Sequence, residues 1–193
     1  MCKDREIFQQ LIAVTNRSLS VHPFEEQIER VASRHPRALI LREKDLPEEE
    51  YRALAERVLA ICAAHEVLCI LHSYPETALA LGCPAVHLPL PLLERYREMV
   101  PRFQAVGSSV HSVFEAKRAE ELGAAYLTAG HIYMTDCKKG LAPRGLPFLR
   151  EVVRAVSIPV YGIGGIGLDE GQLAEVLSCG AAGGCVMSAM MRI

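Results

Sequence analysis

The sequence contains no C-x-x-C pair, although seven of its 193 residues are cysteines. Because the cysteines are odd in number and dispersed, we expect reduced thiols rather than a disulfide framework or a zinc site. No apolar run approaches the roughly 18 residues that a membrane-spanning helix needs. The charged start, Met1 to Glu6, also lacks the apolar core of a signal peptide. These absences predict a cytoplasmic protein.

An excess of charge of one sign is missing as well. The chain has 21 Lys and Arg against 23 Asp and Glu, a formal net charge of -2, and no long run of either sign. This balance argues against nucleic acid or a membrane surface as the partner. It does not exclude a local basic pocket for a small anion.

Hydrophobic residues make up 50% of the chain, which is enough to bury one substantial core. We therefore expect a single domain over residues 1–193. Eight short β-rich runs alternate with segments of helical periodicity, and the runs lie at residues 11–15, 38–42, 67–71, 85–88, 104–106, 125–128, 159–163 and 183–187. Eight parallel β-α units predict an α/β fold, the (β/α)8 TIM barrel, with an open doubly wound sheet as the alternative.

The helical segments carry recognisable start signals. Pro47 stands before three glutamates and an apolar stripe, and Ser112 with Glu115 has the spacing of a capping box. Few residues follow the eighth run, so we expect a compact barrel that ends just after its eighth strand, without a full closing helix. In such a barrel the chemistry belongs to the loops at the carboxyl ends of the strands.

A glycine-rich loop, Gly162-Ile163-Gly164-Gly165-Ile166-Gly167, follows the seventh run and leads into a helix. Exposed backbone N–H groups and a helix amino terminus make it a candidate phosphate cradle. A tight strand-to-helix turn is the alternative, and the pattern does not match the dinucleotide fingerprint. Ser188, at the end of the eighth run, supplies a second anchor in the place where barrel enzymes commonly hold phosphate.

Arg42-Glu43-Lys44 closes the second run. The two cations predict binding of an anionic substrate, with a salt bridge at the strand end as the alternative.

A long loop from Thr128 to Gly145 follows the sixth run, and His131 lies near its start. An imidazole there can take and return a proton near neutral pH, although a packed or surface histidine is the alternative. His72, His87 and His111 also fall near strand ends. Carboxylates do not accompany them, so we predict no metal site.

Several segments together, in order and spacing, resemble the thiamine phosphate synthase superfamily over nearly the whole chain. They are Leu41 to Lys44, Ala85 to Leu88, Gly107 to Ser112, Gly130 to Gly145 and Pro159 to Ile166. In the synthase branch, the resemblance implies coupling of a pyrimidine pyrophosphate to a thiazole phosphate, with magnesium held by acids after strands three and four. This sequence has His72-Ser73-Tyr74 and Pro89-Leu90-Pro91-Leu92 at those places, so we expect that activity to be absent.

The loop after the sixth run is similar to the sister branch, TenI, through Gly130-His131, then Thr135-Asp136-Cys137-Lys138-Lys139-Gly140-Leu141 and Arg144-Gly145. The resemblance implies a cofactor-independent isomerase, a thiazole tautomerase of thiamine biosynthesis that aromatises a carboxythiazole phosphate tautomer with His131 as acid/base. The alternatives are a thiamine phosphate synthase-like transferase and a non-catalytic regulator that binds thiazole phosphate. The expected partner is a small phosphorylated thiazole, and a homo-oligomer is possible. The residues expected to bind it are Arg42, Lys44, His111, Thr135, Lys138, Gly164, Gly165, Ile166 and Ser188.

Overall fold

Eight parallel strands form a closed barrel in the computed structural model, which describes residues 6–135, 138 and 140–193. Each strand pairs with the next one along the chain, and the first pairs with the eighth. The strands are β1 (Leu11–Val14), β2 (Ala38–Leu41), β3 (Cys69–His72), β4 (Ala85–Pro89), β5 (Ala105–Val110), β6 (Tyr126–Gly130), β7 (Val160–Ile163) and β8 (Gly183–Val186).

An α-helix follows each of the first seven strands. The helices are α1 (Phe24–Ala32), α2 (Glu48–Ala64), α3 (Pro75–Ala80), α4 (Leu90–Arg95), α5 (Val113–Glu121), α6 (Gly145–Ala155) and α7 (Glu170–Ser178). A single 3-10 turn, Met190–Arg192, follows β8. Among the described helices, none is both long enough and apolar enough to cross a bilayer.

The predicted helix starts are confirmed. Pro47 directly precedes α2, whose first turn consists of the three glutamates. At α5, the Oγ of Ser112 accepts a hydrogen bond from the N–H of Glu115 at 3.1 Å. Both signals stabilise the first turn of the helix that they precede.

Alternation along the strands divides the apolar residues into two layers. In β1, Leu11 and Ala13 pack outward against the helices, whereas Ile12 and Val14 point into the barrel. The outer layer is the larger of the two, and the interior is filled by a smaller set that includes Tyr126. This filled interior supports the carboxyl-terminal rim from below.

The barrel closes without a long final helix. Ile12 of β1 lies opposite Cys185 of β8 in the parallel register. The side-chain amide of Gln27, in α1, donates hydrogen bonds to the carbonyl oxygens of Met190 at 2.9 Å and Ile193 at 3.1 Å. The (β/α)8 prediction is therefore confirmed, and the alternative of an open sheet is wrong.

Candidate active site at the barrel mouth

A cavity of about 990 Å³ opens at the carboxyl ends of the strands. Its wall contains all ten residues predicted as catalytic or substrate-binding, although they follow five different strands, β2, β5, β6, β7 and β8. They are Arg42, Lys44, His111, His131, Thr135, Lys138, Gly164, Gly165, Ile166 and Ser188. The structure thus brings the predicted site residues to one place, while their individual roles stay predictions.

The loop after β7 is shaped by two glycines with positive φ, Gly164 at +100° and Gly165 at +72°. A Cβ on Gly164 would collide with His131, and one on Gly165 with the carbonyl oxygen of Met134, so both positions require glycine. Within the described part of the chain, no hydrogen bond uses the N–H groups of Gly164, Gly165 and Ile166. These donors can serve an anion in the cavity.

Gln172, in the first turn of α7, braces the same loop. Its side-chain oxygen accepts a hydrogen bond from the N–H of Gly167 at 2.9 Å, and its nitrogen donates to the carbonyl oxygen of Gly165 at 3.4 Å. Gln172 also lines the cavity. The sequence analysis missed this residue, although its place three residues after the helix cap Asp169 was a usable signal.

Two basic residues, Arg42 and Lys44, lie at the end of β2. Burial and the positive charges of Arg42 and Lys138 lower the pKa of Lys44. Lys138, in the loop after β6, lines the same cavity as Arg42 and Lys44. Three cations therefore contribute positive charge to this cavity.

Glu43, between Arg42 and Lys44, points away from these cations and is 3% exposed. Its carboxylate accepts hydrogen bonds from the hydroxyl of Thr15 at 2.6 Å and from the N–H of Arg17 at 3.0 Å. Burial raises the pKa of Glu43 despite these donors. The guanidinium of Arg17 also lies 3.9 Å from the carboxylate of Glu43, within salt-bridge distance.

Two histidines flank the cavity with defined ring orientations. The Nδ1 of His111 lies 2.9 Å from the carbonyl oxygen of Gly130, and the Nε2 of His131 lies 3.3 Å from that of Leu141. A carbonyl oxygen only accepts, so each of these nitrogens carries the hydrogen. In the neutral rings, Nε2 of His111 and Nδ1 of His131 are left as acceptors.

His87 lies deeper than the sequence analysis expected, whereas His72 lines the cavity. His87 is inside β4, 2% exposed, and does not line the cavity, so its placement at the barrel mouth is corrected. Its ring stacks on that of His72 with the centroids 5.6 Å apart. Burial is the main cause that lowers the pKa of both, so each is neutral near pH 7. The sequence pattern did not predict this burial. A polar side chain is buried where it finds hydrogen-bond partners, and the pattern does not show which partners lie inside the barrel.

The described wall of the cavity contains no Asp or Glu, but it contains the cation Arg192 in addition to the three near β2. The described residues also include no cluster of three His, Cys, Asp or Glu that could hold a metal ion. Asp136, Cys137 and Lys139, which the sequence placed in the loop after β6, lie outside the described residues. Arg192 and Ser109 are further wall residues that the sequence analysis missed.

Comparisons with known proteins agree on one family. The family model described as thiamine monophosphate synthase matches residues 11–190. The thiamine-phosphate synthase of Pyrococcus abyssi is 33% identical over 184 residues, which cover 94% of this chain and 86% of the relative. That of Pyrococcus horikoshii is 37% identical over 154 residues, 78% of this chain and 72% of the relative. A solved structure of thiamine phosphate pyrophosphorylase from Pyrococcus furiosus superposes with a TM-score of 0.82 at 31% identity, covering 98% and 90% of the two chains.

These relatives overturn the predicted activity. The prediction of a thiazole tautomerase, a cofactor-independent isomerase, is wrong, because the similar proteins are named as synthases, which are transferases. That prediction depended on one loop and on acids missing after β3 and β4. The similarity to synthases extends instead over the strands and helices of the whole barrel. The synthase-like transferase, given above as an alternative, is better supported.

Proposed function

Because the chain belongs to the thiamine monophosphate synthase family, we propose that it is a transferase that joins a pyrimidine pyrophosphate to a thiazole phosphate. The observation that carries this proposal is the presence of two groups of anion-binding elements in one cavity. The glycine loop and Ser188 follow β7 and β8, whereas Arg42 and Lys44 follow β2 and Lys138 lies in the loop after β6. A reaction between two phosphorylated substrates needs two such places.

In the proposed reaction, the ring nitrogen of the thiazole attacks the methylene carbon of the pyrimidine substrate. The new C–N bond forms, the C–O bond to pyrophosphate breaks, and the ring becomes a thiazolium cation. Arg42, Lys44 and Lys138 would stabilise the negative charge of the departing pyrophosphate. The glycine loop would hold the phosphate of the thiazole. No proton needs to move in this step, so His131 would serve to shape the pocket rather than as acid/base.

The magnesium ion that the synthase branch implies does not fit the described residues of this site. Mg²⁺ binds through carboxylate oxygens and water, and the described wall offers cations and imidazoles instead. Glu43 lies beside a smaller neighbouring cavity, but its carboxylate already accepts hydrogen bonds from Thr15 and Arg17. In the proposed reaction the cations of the protein therefore stabilise the leaving group.

The absence of carboxylates from the described wall favours a second candidate function. A protein that only binds thiazole phosphate needs the glycine loop but neither a metal ion nor a leaving group. We propose this non-catalytic binder as the alternative. A cytoplasmic location and a homo-oligomer, both expected from the sequence, stay predictions.

A coupling assay separates the two functions. The protein is incubated with the pyrimidine pyrophosphate and the thiazole phosphate, once with Mg²⁺ and once with EDTA, and thiamine phosphate is measured after oxidation to a fluorescent thiochrome. The transferase forms product above the protein-free control in at least one condition. The binder forms none, although isothermal titration calorimetry detects its complex with thiazole phosphate.

Lys44→Gln tests the role of the cations in the same assay. A charge-assisted hydrogen bond to phosphate contributes about 1.5–3 kcal/mol, so we expect kcat/KM to fall roughly 10- to 100-fold. Lys117→Gln is the matched control, since Lys117 is exposed on α5 and away from the cavity. Equal rates for the two variants would contradict the proposed part of Lys44.

A further inference from the structure

A buried hydrogen-bond network lies directly beneath the cavity. The Nδ1 of His87 is 3.0 Å from the hydroxyl of Tyr126, and its Nε2 is 2.8 Å from the hydroxyl of Ser109. His87 is almost fully buried, whereas Ser109 lines the cavity. The network therefore connects the barrel interior to the wall that a substrate would touch.

The partners of Tyr126 decide which nitrogen of His87 carries the hydrogen. Tyr126 is buried, and among the described residues its hydroxyl has His87 as its one hydrogen-bond partner. If Nδ1 carried the hydrogen, the hydrogen of the Tyr126 hydroxyl would have no acceptor, which is strongly unfavourable in a core. Tyr126 therefore donates to Nδ1, and the hydrogen of the neutral ring lies on Nε2.

This assignment fixes the direction of the Ser109 hydroxyl. The Nε2–H of His87 donates to the nearer oxygen, that of Ser109 at 2.8 Å, rather than to the Oγ1 of Thr128 at 3.5 Å. The hydroxyl of Thr128 donates to the same Ser109 oxygen at 3.2 Å. The hydrogen of Ser109 is then left without an acceptor inside the network. It is available to the cavity, so the wall presents a donor at this point.

Two further features hold the arrangement in place. The ring of Tyr126 lies against Gly107, where any Cβ would overlap the ring atoms. Burial, helped by the positive charge of Arg42, lowers the pKa of His87 to about 3. The imidazole is thus neutral near pH 7 and cannot donate from both nitrogens.

We propose that Tyr126 and His87 are positioning residues that hold the hydroxyl of Ser109 as a hydrogen-bond donor toward an acceptor atom on a heteroaromatic substrate ring. The orientation of Ser109 follows from the network alone. The identity of the ring rests on the proposed function.

Long-range ¹H–¹⁵N correlation NMR of histidine-labelled protein tests the orientation directly. The His87 ring is assigned by the loss of its signals in His87→Gln. The proposal expects a protonated Nε2 and an unprotonated Nδ1 near pH 7. A hydrogen on Nδ1, or a ring protonated on both nitrogens, would overturn it whatever the protein catalyses.

Binding measurements test the use of that donor. Thiazole phosphate and an aminopyrimidine phosphate are titrated separately by calorimetry, with inorganic phosphate as the control ligand for the glycine loop. Ser109→Ala is expected to weaken one of the two ring ligands roughly 3- to 10-fold and to leave inorganic phosphate unchanged. Unchanged affinity for both ring ligands would overturn the recognition role.

Matched variants distinguish positioning from simple packing. The side-chain nitrogen of Gln can replace Nε2 as the donor to Ser109, whereas the shorter Asn cannot reach it. We expect His87→Asn and Tyr126→Phe to weaken the same ring ligand as Ser109→Ala does, and His87→Gln to retain most of the affinity. Because His87 acts through Ser109, the double variant His87→Asn/Ser109→Ala should bind the ring ligand no more weakly than Ser109→Ala alone. Additive losses would overturn the positioning role.

If wild type bound neither ring ligand, the proposed function and the recognition role would both fail. The NMR result would still decide how Ser109 is oriented.

Discussion

The hydroxyl of Tyr51 joins helix α2 to two neighbouring strands of the barrel. It donates a hydrogen bond to the carbonyl oxygen of Leu41 at 2.7 Å and accepts one from the backbone N–H of His72 at 2.8 Å. The side chain is 1% exposed, and burial raises its pKa, so the hydroxyl keeps its proton. We predict that Tyr51→Phe destabilises the protein, because both backbone groups lose a partner in the core.

The expected magnitude follows from these two contacts. A buried polar group left without its partner costs about 1–3 kcal/mol. Two such groups, with partial relaxation around the missing oxygen, give a loss of roughly 2–4 kcal/mol in the free energy of unfolding. A chain of this size loses about 2–4 °C in Tm for each kcal/mol, so the expected decrease is roughly 5–15 °C.

Urea titration and thermal unfolding, both followed by circular dichroism, measure these quantities. Tyr74→Phe is the matched control, because the ring of Tyr74 lies 4.7 Å from that of Tyr51 and its hydroxyl donates to the carbonyl oxygen of Leu46 at 2.9 Å. Tyr74 is only half-buried, so water can replace the lost bond, and we expect a loss below about 1 kcal/mol. Equal losses in the two variants would refute the reasoning.

Two other substitutions test separate features. Gly165→Ala is expected to cost roughly 2–4 kcal/mol in unfolding free energy, since a Cβ there adds strain at positive φ and collides with the loop after β6. Gly82→Ala, at positive φ but in open space, should cost about 1–2 kcal/mol, and equal Tm values for the two would contradict this. Between about pH 3 and pH 6.5, His87 binds a proton only when the protein is unfolded. Between pH 7 and 5, wild type should therefore lose about 2 kcal/mol relative to His87→Gln in urea titrations, and a constant difference would exclude this.

The elements that the sequence predicted well are those defined by local signals. Pro47, the glutamates after it and the capping box at Ser112 involve neighbouring residues, so the starts of α2 and α5 could be predicted. The glycine loop could be predicted for the same reason. Glycine adopts the positive φ angles of this loop at little cost, so the glycines themselves are the signal.

The extent of strand β5 could not be predicted from local signals. The sequence predicted a strand over 104–106, but the strand continues to Val110 through Gly107, Ser108 and Ser109. These residues are poor strand formers. Gly107 is needed because the ring of Tyr126 occupies the space of a side chain, and the hydroxyl of Ser108 donates to the carbonyl oxygen of Leu88 at 2.9 Å. Tertiary contacts therefore override the local preference.

The activity could not be predicted from the pieces that differ most among relatives. The loop after β6 pointed to an isomerase, and the acids missing after β3 and β4 argued against a synthase. Loops vary faster than the strands and helices that support them. The similarity over residues 11–190 was the more informative signal, and it was not visible in any single motif.

The pairing of β1 with β8 has a consequence for how the molecule is made on the ribosome. A nascent chain that stops before residue 183 leaves unpaired edges on β1 and β7, and Gln27 has not yet met the carbonyl oxygens of Met190 and Ile193. Ser188, the second half of the phosphate cradle, is missing from such a chain as well. Unpaired strand edges can form hydrogen bonds with other chains and so lead to aggregation. Residues 183–193 must therefore be synthesised before either the closed barrel or the complete binding site exists.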